Sequence, residues 1–206
     1  EEQKLAPIVL NFEYKSSKLY SKPTEGLDLE YVRLQYPTPD FTEVTDVEFD
    51  KGAALLQGAI SHANFPIVCA NMESSREDMS TPLAAVTLKS KNGVRFHVAG
   101  VVTNFDGGHP EGSNEVYEGL TFSHPFDAAT EALSAAKSGD IRLLLSHMGD
   151  DRDVQYASAT DCCDIIIGGH THVVMDSVVN NVVIGQTGRK LKNIGATTIH
   201  LKGRKI

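Results

Sequence analysis

The run Ile165-Ile166-Ile167-Gly168-Gly169-His170-Thr171-His172 restricts the fold more than any other part of the chain. Three consecutive isoleucines suit a strand buried on both faces, the environment of a central parallel strand flanked by helices. The two glycines that follow take backbone angles other residues resist, so a sharp turn is expected at the strand's end. His170 and His172 then stand at the carboxyl end of that strand, where open α/β sheets form their ligand crevices. Imidazole is a common ligand for zinc, copper, iron and nickel, and serves manganese sites too. A His-x-His pair also occurs in ordinary loops and strands, so three structural histidines without a metal stay open as an alternative. The double glycine, and a second histidine motif upstream at His147, point toward a metal.

Taken in order, residues 6–12 read as a first strand, and residues 23–45 as irregular around Pro23, Pro37 and Pro39, with one short helix at 27–35. Lys51 to Ala63 is a predicted helix with Ala53, Leu56 and Ile60 on one stripe. Pro66 to Asn71 reads as a buried strand, and Ala84 to Lys89 with Val94 to Val102 as a hairpin turning at Lys91-Asn92-Gly93. Asn104 to Ser113 is polar and glycine-rich, hence a surface loop. Pro125 can open a helix, because a missing amide proton costs nothing at the first position, and Gly139 closes it. Ile141 to Leu145 is a second buried strand, ending in Ser146-His147-Met148-Gly149, and Asp153 to Ala159 is helical. Val173 to Val179 and Val182 to Gln186 form a second hairpin around Asn180-Asn181, and Ala196 to Lys202 a final strand. The fold class expected is α/β (mixed α+β), with one mixed sheet or two packed mixed β-sheets flanked by helices.

A chain of 206 residues is most simply one domain, or one large domain with appendages, long enough to bury about 70% of its unfolded surface without disulfide staples. A net charge of −8 argues against a nucleic-acid groove, since phosphate-binding surfaces are usually basic. The exception is a basic tail of Lys190, Lys192, Lys202, Arg204 and Lys205, read as a solvated strand end. The three cysteines set no disulfide framework, and Cys162-Cys163 are expected to be thiols. No stretch approaches the ~20 apolar residues of a membrane span. A leader peptide is not among these residues, which leaves a cytosolic protein or a mature exported one.

Two strand-end histidine motifs separated by one helix are what a metal site across adjacent strands would show. Asp46 or Asp50 would add a carboxylate from an earlier turn, and mixed imidazole and carboxylate donors suit zinc, manganese or iron. Two such ions roughly 3.5–4 Å apart can hold a phosphate and generate a hydroxide nucleophile.

Phe65-Pro66-Ile67-Val68-Cys69-Ala70-Asn71, Leu145-Ser146-His147-Met148-Gly149 and Ile167-Gly168-Gly169-His170-Thr171-His172 resemble successive blocks of calcineurin-like metallophosphoesterases. They are most similar to the 5'-nucleotidase, UDP-sugar hydrolase and 2',3'-cyclic phosphodiesterase group. Val183-Ile184-Gly185-Gln186-Thr187-Gly188 and Ile194-Gly195 fit that group's final hairpin and strand, so the resemblance covers about residues 45–203. It implies a four-layer sandwich of two sheets between helices. It further implies that His147 and His170 bind one divalent metal and His172 the other. Glu48-Phe49-Asp50 resembles the end of the family's Gly-Asn-His-Glu-Phe-Asp motif. There the asparagine ligates metal, the histidine protonates the leaving group and the last aspartate orients that histidine. Asp46 takes the asparagine position as a metal ligand, and Asp50 takes the orienting position as a catalytic residue. Val47 takes the histidine position and can neither donate a proton nor bind metal.

The amino-terminal blocks depart further. Glu13 and Lys15 stand where the family has an Asp-x-His ligand pair, and residues 1–45 hold no equivalent of its bridging Gly-Asp. The resemblance therefore yields two functional readings. One is a degenerate relative acting in binding or assembly, with a partial metal site of one ion or none and a protein partner. The other is an active metal-dependent phosphoesterase acting on nucleotides or other phosphoesters. The expected organisation is a single domain over residues 1–206, without the family's carboxyl-terminal nucleotide-binding domain. The family is mostly exported or envelope-associated, which implies the same location here, with a cytoplasmic one as the alternative. His62, His97, His109, His124 and His200 match no family position and are expected to be ordinary surface or half-buried residues.

Overall fold

The structure is a computed structural model that describes residues 53–189 apart from 64, 92, 106 and 107, together with 42, 43, 192, 193, 195–197 and 199. Asp46, Val47, Asp50, Glu13 and Lys15 lie outside the described residues, as do the expected strand at 6–12 and helix at 27–35.

The elements are β1 (Thr42–Glu43), α1 (Ala53–His62), β2 (Ile67–Val68), β3 (Met72–Ser74), β4 (Ala85–Lys89), β5 (Arg95–Val102) and β6 (Leu120–Phe122). They are followed by α2 (Pro125–Ser134), β7 (Ile141–His147), α3 (Asp150–Ala159), β8 (Ile165–Gly168), β9 (Val174–Val179) and β10 (Val182–Thr187). Six strands form one mixed sheet in the order β4-β5-β7-β8-β10-β9. Its centre, β5-β7-β8-β10, is parallel, and the antiparallel strands β4 and β9 close its two edges. Two small sheets, β1-β2 and β3-β6, complete the described strands. The chain is thus mixed α/β, as its alternating middle implies.

The centre of the sheet is parallel because helical crossovers join its strands: α2 between β5 and β7, and α3 between β7 and β8. Both crossovers step in the same direction along the sheet, so the right-handed rule places both helices on one face. That face buries Leu144 of β7 and Ile166 of β8 against Ala129 and Leu133 of α2 and Tyr156 and Ala157 of α3. Alternation along the strands sends Leu143, Leu145, Ile165 and Val98 to the opposite face, where Phe96, Val68 and the β4 side chains Val86 and Leu88 meet them. Fully burying a Leu or Ile contributes about 1.5–3 kcal/mol, and Leu143, Leu144, Ile166 and Ile184 are wholly inaccessible. The reading of β7 and β8 as strands covered on both sides holds.

A third cluster packs α1, through Ala53 and Leu56, against Cys69, Met72, Tyr117 and Leu120. Here the structure departs from the expected strand at Pro66 to Asn71. The paired strand ends at Val68; beyond it the Cys69 amide donates to the Leu83 carbonyl at 2.8 Å and the Ala70 amide to the Gly100 carbonyl at 2.7 Å, and the Asn71 side chain fastens the chain to the end of β5. Its Oδ1 accepts from the Val102 amide at 3.0 Å and its Nδ2 donates to the Val102 carbonyl at 2.8 Å. The chain then turns into β3, which pairs with β6; neither strand is expected from the sequence, and both are three residues long. At the far end, Ala196, Thr197 and Ile199 lie in no strand, contrary to the expected final strand, whose other residues are outside the description.

The second hairpin is observed with its turn at Asn180-Asn181, both at positive φ (51° and 64°). Asparagine tolerates this left-handed conformation better than other residues with a Cβ. The Asn180 amide also donates to the carbonyls of Ala157 and Thr160 at 3.2 and 3.0 Å, tying the turn to the end of α3. Asn180→Ala is therefore expected to cost about 1–2 kcal/mol, from the lost hydrogen bonds and the disfavoured backbone. Urea denaturation reads it directly, and an unchanged midpoint would contradict it.

Cys69, Cys162 and Cys163 are free thiols, as expected, and burial pushes Cys163 up to about 12. His97 is more deeply placed than expected, at 8% exposure. It lies 2.9 Å from both the Thr87 hydroxyl and the Ala132 carbonyl, joining the hairpin to α2. No helix among the described residues is long and apolar enough to cross a membrane.

Candidate functional site

Strand register sets the site. Val102 of β5 pairs with His147 of β7, and Ser146 pairs with Gly168 of β8, so three adjacent parallel strands end at one level. His147 is the last residue of β7, two positions further into the strand than its sequence suggests, and is 6% exposed. His170 follows β8 by two residues. The two rings stand edge to face with centroids 5.2 Å apart. His172 lies further along the same loop and is exposed. The structure thus brings His147 and His170 together and puts His172 on the outer part of their loop. Among the described residues no group of three or more His, Cys, Asp or Glu is gathered as a metal-binding set.

The double glycine works differently from the sequence-based expectation. Neither Gly168 nor Gly169 has positive φ; His170 and His172 do, at 75° and 60°. The glycines are needed for close approach instead. A Cβ on Gly169 would lie 2.9 Å from Nδ1 of His147 and 3.6 Å from the Ser146 carbonyl. A Cβ on Gly168 would collide with the Asp153 carboxylate and lie 3.3 Å from Nε2 of Gln186. The turn is made by the histidines themselves, and a left-handed residue with a Cβ costs of order 1–3 kcal/mol unless its surroundings hold it there.

What holds it there is Gln186 of β10, which is 3% exposed. Its Oε1 accepts from the Val173 amide at 2.9 Å and the Thr171 hydroxyl at 3.2 Å, while its Nε2 donates to the Gly169 carbonyl at 3.0 Å. One side chain therefore grips both ends of the loop carrying His170 and His172. Sequence reasoning missed it. The signal was present: Val182, Ile184 and Gln186 share the buried register of β10, and a polar residue there must have partners.

Asp153 was missed as well. It opens the stripe Asp153, Tyr156, Ala157 on the buried face of α3, an acid where that face is otherwise apolar. The helix starts at Asp150, three residues before the expected start, with Gly149 before it at φ 96°. Asp153 is wholly inaccessible. Its Oδ1 is hydrogen-bonded by the Ser146 hydroxyl, and that hydroxyl also receives the Met148 amide at 3.3 Å. Its Oδ2 has no hydrogen-bond partner among the described residues. Burial, helped by the negative charge of Asp150 and opposed by the Ser146 hydrogen bond, raises the Asp153 carboxyl to about 8. At neutral pH it is mostly uncharged.

The rim of the site is tied by Arg152 of α3, whose guanidinium lies 4.4 Å over the ring of Phe105 in the loop after β5. His109 and His124, with no family counterpart, face loop and helix-cap neighbours: His109 contacts Asn114 at 2.6 Å, and His124 precedes α2.

No protein-family model matches the chain. The metallophosphoesterase YunD of Bacillus subtilis, described as uncharacterized, is 27% identical over 150 residues, which are 70% of this chain and 31% of that protein. The protein 5NUC of Lutzomyia longipalpis is 27% identical over 145 residues, 66% of this chain and 24% of that protein. The chain thus spans less than a third of the length of either relative. Among solved structures, a 5'-nucleotidase precursor from Thermus thermophilus superposes with a TM-score of 0.61 at 21% identity, over 76% of this chain and 34% of that one. The superposition speaks for the fold and the curated relatives for descent. Together with the strand-end histidine blocks, they make the chain a distant homologue of the 5'-nucleotidase and calcineurin-like metallophosphoesterase family over its metallophosphatase region.

Proposed function

We propose that this chain is a 5'-nucleotidase-like metallophosphoesterase domain that holds a divalent cation through imidazoles and hydrolyses phosphoesters weakly or not at all. It would serve in binding or assembly, with a protein partner. The carrying observation is the pair His147, at the end of β7, and His170, in the loop after the adjacent parallel strand β8, with ring centroids 5.2 Å apart. Two imidazoles sharing one tetrahedral cation at nitrogen distances of ~2.0–2.1 Å have centroids about 5 Å apart, so the observed spacing fits. His147 and His170 would hold one zinc, manganese or iron ion, with Asp46 contributing a carboxylate and His172 serving a second ion where one is bound. When present, such an ion polarises a phosphoryl oxygen and acidifies bound water.

Weak turnover follows from Val47. At the position where the family carries its proton donor, this chain has an alkyl side chain, so the residue that Asp50 would orient by family resemblance is replaced. Losing a general acid typically costs a factor of ~10²–10⁴. The ligand class in this reading is a phosphoester or nucleotide. A complete four-layer sandwich and an exported or envelope location belong to the same proposal. An active hydrolase is the second reading, and the left-handed backbone of His170 and His172 favours it, because such strain persists mainly at functional sites.

Metal analysis of the purified chain, alongside turnover of bis(p-nitrophenyl) phosphate by wild type and His170→Ala, tests both readings. Bound zinc or manganese in wild type is expected to be lost from His170→Ala, with phosphodiester turnover near background in each. Turnover well above background that disappears in His170→Ala would establish the active hydrolase instead. No metal in either protein would remove the metal reading.

A further inference from the structure

We propose that Asp153 is a positioning residue: its carboxyl, wedged between Ser146 and Gly168, sets the spacing between the ends of β7 and β8 and hence between His147 and His170. This inference deepens the metal-site reading and rests on it only for the affinity measurement below.

Three observations converge. Asp153 is wholly inaccessible, and Oδ2 has no hydrogen-bond partner among the described residues, so an ionised carboxylate would be an uncompensated buried charge. Its Oδ1 holds the Ser146 hydroxyl, one residue before His147, and Oδ2 lies against the backbone of Gly168, two residues before His170. Ser146 and Gly168 are themselves register partners, the last pair of β7 and β8, so the carboxyl sits where the ladder leading to the two histidines ends. Few groups among the described residues face it. On its own helix Asp150 acts on it through charge; β7 brings Ser146, with His147 next in sequence; β8 brings Gly168; β10 brings the neutral amide of Gln186 to the same side of Gly168. None of these groups is a lysine or arginine. An uncharged acid of this size fills the wedge and keeps one hydrogen bond, whereas alanine leaves a void and frees Ser146.

The test compares Asp153→Asn, permanently neutral and nearly isosteric, with Asp153→Ala. Zinc titration and the imidazole nitrogen NMR signals of the metal-free protein are the readouts. Asp153→Asn is expected to keep zinc affinity within about three-fold of wild type, while Asp153→Ala loses about 10–100-fold, the range typical of outer-shell partners. The His147 and His170 signals should stay in place in the first variant and move in the second. If Asp153→Ala does not fold, Ser146→Ala, which removes the hydroxyl gripping the carboxyl, is expected to shift the same signals. Wild-type signals in Asp153→Ala, or an Asn variant that behaves like the Ala variant, would overturn the assignment. If wild type takes up no zinc, the metal reading fails alone, and the imidazole signals still decide the role of Asp153.

Discussion

As the pH rises from 4 toward 8, Asp153 alone should lower the unfolding free energy of this protein, by on the order of 5 kcal/mol across the whole window. The sign follows from which state holds the proton. In the unfolded chain the carboxyl has its ordinary value near 3.8, whereas burial raises it to about 8 in the fold. Between those values the folded protein keeps a proton that the unfolded chain has released. Stability is therefore fully present below the unfolded value and is lost as pH climbs to the folded one, the reverse of a salt-bridged aspartate. Other groups titrate over the same range, so the informative quantity is a difference. Relative to wild type, Asp153→Asn should gain stability steadily from pH 4.5 to pH 8, because an amide has no proton to lose. Urea unfolding of both proteins at several pH values measures this. Parallel stability curves would mean that the carboxyl is ionised in the fold, compensated by a group outside the described residues.

The second large effect separates the two adjacent glycines. Gly168→Ala places a methyl group against the Asp153 carboxylate and 3.3 Å from the Gln186 amide, both fully or almost fully buried and held by hydrogen bonds. Overpacking of this kind costs about 2–3 kcal/mol, which in a chain of this size lowers the melting temperature by about 5–10 °C. Gly169→Ala directs its methyl at Nδ1 of His147, 2.9 Å away. A ring can swing where a packed strand cannot, so the stability loss should be smaller, and the damage should appear at the histidine pair. The expected result is a zinc affinity lower by about ten-fold or more, as for other displaced ligands and their supports. Calorimetry and zinc titration on the two variants give opposite rankings if this is right. Equal losses of stability with unchanged zinc binding would show that Gly169 is needed only for chain path.

These two predictions also show where sequence reading stops. The pairing of the glycines with the histidines is visible in the sequence, and so is a need for small residues at the end of β8. Their purpose was misread, because a glycine invites an explanation from backbone freedom. The actual demand comes from His147 and Asp153, which lie on other elements, and the positive φ angles fall on His170 and His172 instead. Gln186 and Asp153 escaped notice for a similar reason. Each is one polar residue in an apolar register, and its partners are 13 to 17 residues away for Gln186 and seven for the Ser146 bond of Asp153. Asn71 is tied to the end of β5 through bonds spanning 31 residues, and β3 meets β6 only because the intervening hairpin returns the chain.

By itself the sequence determined whatever depends on neighbours a few residues apart. The isoleucine run made β8 a buried strand, Asn180-Asn181 made the second hairpin, and Pro125 opened α2, because local sterics and hydrophobic periodicity act within a turn or a strand. The strand-end histidine blocks also carried the family resemblance. Only the tertiary structure decided that β7 and β8 run side by side in a register that faces His147 toward His170, and that a buried acid and a buried amide brace them. Burial, desolvation and hydrogen-bond satisfaction are properties of the assembled interior, and they exist only once distant parts of the chain have come together.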